Sequence, residues 1–193
     1  MSMQNYLRVD EIRDTSNRSC VVSGYNNIVD TDYIASTNRT KYTAQNGGSG
    51  TRLVDLILKV QPKKTSNIIM CHWSLMHEFH HNMVFTIQKR VNKGSWGLVT
   101  SPSNERGYNS DSGNNKWSGY AVSPYDRNDD STAQMTMFTY PFVAATTNLV
   151  EIAVAVKSSG GQEWGALNST RGAWGQGGHE SGQSVGWLWE LDT

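Results

Sequence analysis

The segment Val150-Glu151-Ile152-Ala153-Val154-Ala155-Val156-Lys157 carries a large apolar residue at every even position. Side chains of an extended chain alternate between two faces, so the valines and Ile152 share one face while Glu151 and Lys157 occupy the other. Val54, Leu56, Leu58 and Val60 repeat the pattern against Asp55 and Lys59, until Pro62 stops the strand. The C-terminus repeats it again, with Val185, Trp187, Trp189 and Leu191 on one face and Gly186 and Glu190 on the other. From Thr51 onward such runs are separated by Gly, Asn, Ser and Pro clusters, which predicts an antiparallel sandwich or barrel. A closing strand this aromatic belongs in a core or a subunit interface.

Residues 1–50 read differently. A short alternation, Leu7-Arg8-Val9-Asp10-Glu11-Ile12, is followed by turn-rich sequence that ends in Asn46-Gly47-Gly48-Ser49-Gly50. The expectation is an N-terminal arm over 1–50, anchored by Leu7, Val9 and Ile12 and joined by a hinge to a β domain over 51–193. No run of about 18 apolar residues exists to span a bilayer, and positions 1–10 lack the apolar stretch of a signal peptide, so no membrane insertion is expected. Seventeen basic and 17 acidic side chains balance to a formal net charge of zero, which argues against an electrostatically driven nucleic-acid partner. Cys20 and Cys71 match no redox or zinc spacing and read as free thiols.

One stretch signals chemistry. His77-Glu78-Phe79-His80-His81 fits H-E-x-x-H, the zinc-protease pattern in which two histidines one helical turn apart bind metal and the glutamate activates water. It functions only on a helix. In a strand the two histidines stand roughly 13 Å apart, too far to share a metal. Ile69, Trp73, Met76, Met83, Ile87 and Val91 keep a helical spacing open, whereas Met83, Phe85 and Ile87 alternating with Thr86 and Gln88 favour a strand. The alternative to catalysis is that His72, His77, His80 and His81 are polar residues of a strand pair, or a histidine cluster that titrates. Asp126-Arg127-Asn128-Asp129-Asp130 spaces oxygen side chains as calcium loops do but lacks the glycine and glutamate of an EF-hand. No nucleophile elbow, P-loop or dinucleotide fingerprint occurs, and the expectation is no enzyme, no metal and no cofactor. Trp96, Tyr108, Trp117, Tyr120 and Tyr125 lie in Gly/Asn/Ser-rich loops between positions 92 and 131, a composition suited to stacking on sugars or to adaptable protein contacts, and equally to aromatics that cap the ends of a β core.

In order along the chain, several segments resemble tailed-phage virion proteins of the tail-fibre tip or head-decoration type. Leu7-Arg8-Val9-Asp10-Glu11-Ile12-Arg13-Asp14-Thr15-Ser16 is similar to their opening run. The segments 58–70 and 85–94 resemble strands and turns of their C-terminal domain, and 150–157 and 184–191 its last two strands. The resemblance implies a C1q/TNF-like jelly roll, assembled as a homotrimer on a virion put together in the host cytoplasm. It implies host attachment through a short fibre or spike, with host-surface glycan or protein as partner and the arm docked on another virion protein. A capsid cement protein that stabilises the shell is the alternative. Phe85, Ile87, Trp187 and Trp189 are the expected trimer-interface residues.

Overall fold

The computed structural model describes residues 28–46, 49–99, 119–126, 132–158, 163–172, 174 and 180–193. Leu7, Val9, Ile12, Tyr108 and Trp117 lie outside them. The described residues form an all-β antiparallel sandwich of the jelly-roll type. In chain order the strands are β1 (Ile28–Ser36), β2 (Thr40–Asn46), β3 (Thr51–Arg52), β4 (Leu58–Val60), β5 (Ile68–Phe79) and β6 (Met83–Val91). They continue as β7 (Gly97–Leu98), β8 (Ala121–Val122), β9 (Gln134–Val143), β10 (Val150–Ser158), β11 (Glu163–Leu167) and β12 (Ser184–Leu191). No helix among the described residues is long and apolar enough to cross a membrane.

The first sheet runs β1-β12-β5-β9, and β11 continues beside the far end of β5 and pairs onward with β2. The second sheet is built on β10 and β6, with β3 and β4 on the outside of β10 and β7 and β8 on the outside of β6. A short parallel pairing of β2 with β10 joins the two. Between the sheets, Ile69, Cys71, Trp73, Leu75 and Phe79 of β5 meet Phe85 and Ile87 of β6 and Val150, Ile152, Val154 and Val156 of β10, nearly all without solvent exposure. Ring pairs at 5–7 Å, Trp73 with Phe138 and Phe79 with Phe85, fill the centre.

Local chemistry explains the turns. The β6–β7 connection closes Gly94 N–H onto Val91 O at 2.8 Å, with Asn92 and Lys93 both at positive φ (48° and 60°). That is a type I′ turn, whose twist matches the flanking strands. Gly165 on β11 has no room for a side chain, because a Cβ there would sit 1.9 Å from a ring carbon of Phe79.

Three expectations need correction. The strand predicted over Val54 to Val60 is a 3-10 turn at Val54–Leu56 followed by the short β4. Leu53 and Leu56 both reach the core, and that spacing of three closes the turn through Leu56 N–H onto Leu53 O. The arm boundary at residue 50 also moves, because β1 and β2 pair with β12 and β11 as integral strands. Ser49 and Gly50, expected in a hinge, are fastened by the Gln88 amide, which donates to both of their carbonyls at 2.7 and 3.2 Å. Finally, Phe85 and Ile87 lie wholly inside the protomer's own core and present nothing to a second subunit.

Candidate functional site

The register of the first sheet brings one set of side chains onto its outer face in four rows. Tyr33, Trp187, His72 and Thr139 lie side by side across β1, β12, β5 and β9. Thr31, Trp189, Met70 and Pro141 form the next row, and Ile28, Leu191, Ile68 and Val143 the row beyond it. Ala35, Val185, Ser74 and Met137 flank the other side. None of these sixteen side chains is Asp, Glu, Lys or Arg, whereas the chain's 18% charged content would place about three there. Tyr33 is 63% exposed, Met137 66% and Val143 55%, so the face is open.

Trp187 and Trp189 therefore point outward, while the polar and small members of the same strand point into the sandwich. Each inward residue has a local reason. Ser184 Oγ accepts the Met76 N–H at 3.0 Å. Gly186 leaves space for the Trp73 indole, which a Cβ would approach to 2.8 Å. The Glu190 carboxylate accepts from Lys63 N–H and from the Asn67 side-chain amide, both at 2.6 Å. On the outer face the His72 ring stacks on Trp187 with centroids 3.9 Å apart, and its Nδ1 shares a 2.7 Å hydrogen bond with Thr139 Oγ1. Partial burial against that indole lowers the His72 pKa, which keeps the imidazole neutral near pH 7.

The zinc-protease pattern does not assemble. His77 and Glu78 belong to β5, and neighbouring strand positions face opposite sides. His77 enters the core between the rings of Phe79 and Phe85 and bonds Thr136 Oγ1 at 2.8 Å, and burial drives its pKa down to about 3. Glu78 faces the other way and accepts the Arg171 N–H at 2.6 Å. His81 sits after the strand in a left-handed turn, φ 57°, and with His80 it approaches the two carboxylate oxygens of Glu163 at 3.5 Å. The four histidines thus serve the outer face, the core and the hairpin tip separately. Among the described residues no group of three or more His, Cys, Asp or Glu is placed to hold a metal ion.

The loop aromatics are largely engaged within the chain. Trp96 lies between the guanidinium groups of Arg52 and Arg90, 5.0 and 4.8 Å from its ring centre. Tyr120 donates its hydroxyl to the Val99 carbonyl, and its ring packs on Tyr140 at 4.3 Å. Tyr125 alone of these three is displayed, 57% exposed, with its ring edge toward His81. Trp164 carries Lys41 Nζ at 4.2 Å and the Arg171 guanidinium at 4.1 Å, cation–π contacts that pin the β11–β2 edge.

No protein-family model matches the chain, and no curated protein matches it. Among solved structures it is similar to the infectious bursal disease virus VP2 subviral particle, with 11% identity, 97% of this chain and 43% of that one covered, and a TM-score of 0.36. A structure of the Gx strain of the same virus is similar at 9% identity, with 97% and 42% covered and a TM-score of 0.36. The chain spans less than half the length of those chains. A likeness this distant leaves the reading of the site to its own residues.

Proposed function

We propose that this protein is a non-enzymatic structural protein of a virus particle that acts by assembly, as a jelly-roll cement or decoration protein on the shell. The observation that carries this reading is the open, uncharged outer face of the first sheet, a surface of the kind that assembly buries. The ordered resemblance of the strand and turn segments to tailed-phage virion proteins supports the same reading, as does the dispersal of the histidines away from any shared site. Residues 1–27 serve as the arm, with Leu7, Val9 and Ile12 docking on another virion protein. The particle is assembled in the host cytoplasm, and the protein is carried on it as a homotrimer.

Host attachment through the loops is the second reading, and the exposed Tyr125 ring favours it. It has less support, because Trp96 and Tyr120 are already committed to partners of their own. Two measurements separate the readings. Quantitative mass spectrometry of purified particles should find the protein in copy numbers that scale with the shell, and particles lacking it should break at lower temperature. Purified protein should fail to compete for adsorption to cells. Absence from purified particles overturns both readings, and effective competition moves the assignment to attachment.

A further inference from the structure

We propose that the outer face of the β1-β12-β5-β9 sheet is a self-association surface, and that its occupant is the same face of a second copy of this chain. The inference deepens the assembly reading by naming its surface, and its test does not depend on finding the particle.

Size is the first argument. Four strands at about 4.8 Å spacing and four rows along them cover roughly 500 Å² in plan, and side-chain relief raises the accessible area above that. Stable interfaces take about 800 Å² from each partner, and the largest apolar patch of an ordinary monomer is about 300–600 Å². A face of that extent lies in the upper part of the monomer range and approaches what one partner contributes to an interface.

Charge is the second argument. A surface that meets its own copy must not repel itself, and this one holds no carboxylate, ammonium or guanidinium group across its four rows. At the Ile28–Val143 end the charges are present but paired, Lys63 with Asp30 at 3.4 Å and Lys64 with Asp192 at 2.5 Å. At that end, then, the uncharged face is bordered by charges that neutralise each other.

Complementarity is the third. The β1–β12 half is aromatic, built on Tyr33, Trp187 and Trp189. The β5–β9 half offers thioethers and aliphatic carbon, with Met70, Met137 and Val143. Thioether sulfur packs favourably on aromatic rings, so the two halves suit each other rather than themselves. A two-fold pair whose axis runs along the strands brings the aromatic half of each copy onto the methionine half of the other, whereas a three-fold ring would join the same two halves head to tail.

The test uses the full chain. Sedimentation velocity at tens of micromolar should give a dimer or trimer mass, and Trp189→Glu and Met137→Glu should each return it to monomer while far-UV circular dichroism is unchanged. A buried glutamate without a partner cannot be tolerated in such a contact. Hydroxyl-radical footprinting of the wild-type chain covers the case in which a variant misfolds: Met135, Met137 and Trp189 should be oxidised several-fold more slowly than at dilutions where the chain is monomeric, with Tyr125 unaffected. A wild-type chain that stays monomeric at these concentrations overturns the inference. So does an oligomer that survives both substitutions. A monomer whose Met137 is nevertheless protected also overturns it, and makes the cover a segment of the same chain. A dimer supports the inference while removing the trimer from the proposed function, and an oligomer of a protein absent from particles leaves the surface standing without the virion role.

Discussion

On the outer side of the β10–β6 sheet the polar positions are Thr86, Gln88, Glu151 and Lys157, all buried, and Arg90, half-buried, with Val84, Ala153 and Ala155 between them. On the outer side of the β1-β12-β5-β9 sheet Tyr33, Trp189 and Met137 lie exposed, and Trp187 is half-buried against His72. The polar face is covered by the chain itself: Ser49 O accepts from Thr86 Oγ1 and Gln88 Nε2, Arg52 donates to Gln88 Oε1 at 2.9 Å, and Arg90 pairs with Glu151 at 2.7 Å. Hydrogen-bonding side chains can hold a covering segment in a fixed geometry, while an apolar sheet face binds by area and shape. One face is closed within the protomer, and the other is built to be closed by something else.

The comparison breaks first at the inner side of the open sheet. Trp73 has no solvent exposure, and Trp73→Ala should cost about 3–5 kcal/mol in equilibrium denaturation. A loss below about 1 kcal/mol would mean that the sandwich is not packed around β5.

Acid is the next lever. The unfolded chain protonates His77 near pH 6.5, whereas the buried ring resists until about pH 3, so the unfolded state binds more protons between those values. Stability is therefore fully present above pH 6.5 and falls as pH drops toward 3, by up to about 1.4 kcal/mol per pH unit. His72, lowered in the same direction by its partial burial, adds a smaller contribution of the same sign. The Arg90 hydrogen bond holds the Glu151 carboxyl below its ordinary value, so its own loss comes at lower pH. His77→Phe should flatten the slope between pH 6.5 and 5 in urea titrations, and an unchanged slope would remove His77 as its source.

How much of this was legible in the sequence depends on what alternation can say. Period 2 in Val150 to Lys157 identifies a strand and its two faces, and the valines do face the core. Glu151 and Lys157 read as a solvent face, yet they lie beneath other parts of the chain, because burial on that side comes from segments distant in sequence. For β12 the same rule leaves the aromatic face as either core or interface. The hydrogen bonds of Glu190 and Ser184 to Asn67, Lys63 and Met76 let that side of the strand sit inside, which sends Trp187 and Trp189 out. β9 is apolar on both parities, Met135 and Met137 on one and Phe138 and Tyr140 on the other, so its pattern could not choose a face. Its membership of the open face follows from its register with β5, which no local pattern encodes. For His77 and Glu78 the alternation of Met83, Phe85 and Ile87 on the next strand only favoured a strand over a helix, and β5 itself settles it.

On the covered face, Gln88→Leu removes the amide that fastens Ser49 and Gly50 and leaves their carbonyls and Arg52 to find other partners. A loss of about 1–3 kcal/mol is expected, together with faster amide exchange in residues 49–52. Unchanged exchange there would show that the cover is held by something other than this side chain.

The smallest effect tests the open face most directly. Met137 is 66% exposed in the protomer, so Met137→Ser should change stability by no more than about 0.5 kcal/mol when the chain is diluted to monomer. At concentrations where copies associate, the same substitution should lower the denaturation midpoint relative to wild type, because assembly adds stability only to a chain that can assemble. The concentration dependence carries the argument: a surface finished within the protomer, like that over Gln88, gives the same cost at every dilution. Equal effects of Met137→Ser at both concentrations would place the two outer faces in the same class and end the distinction between them.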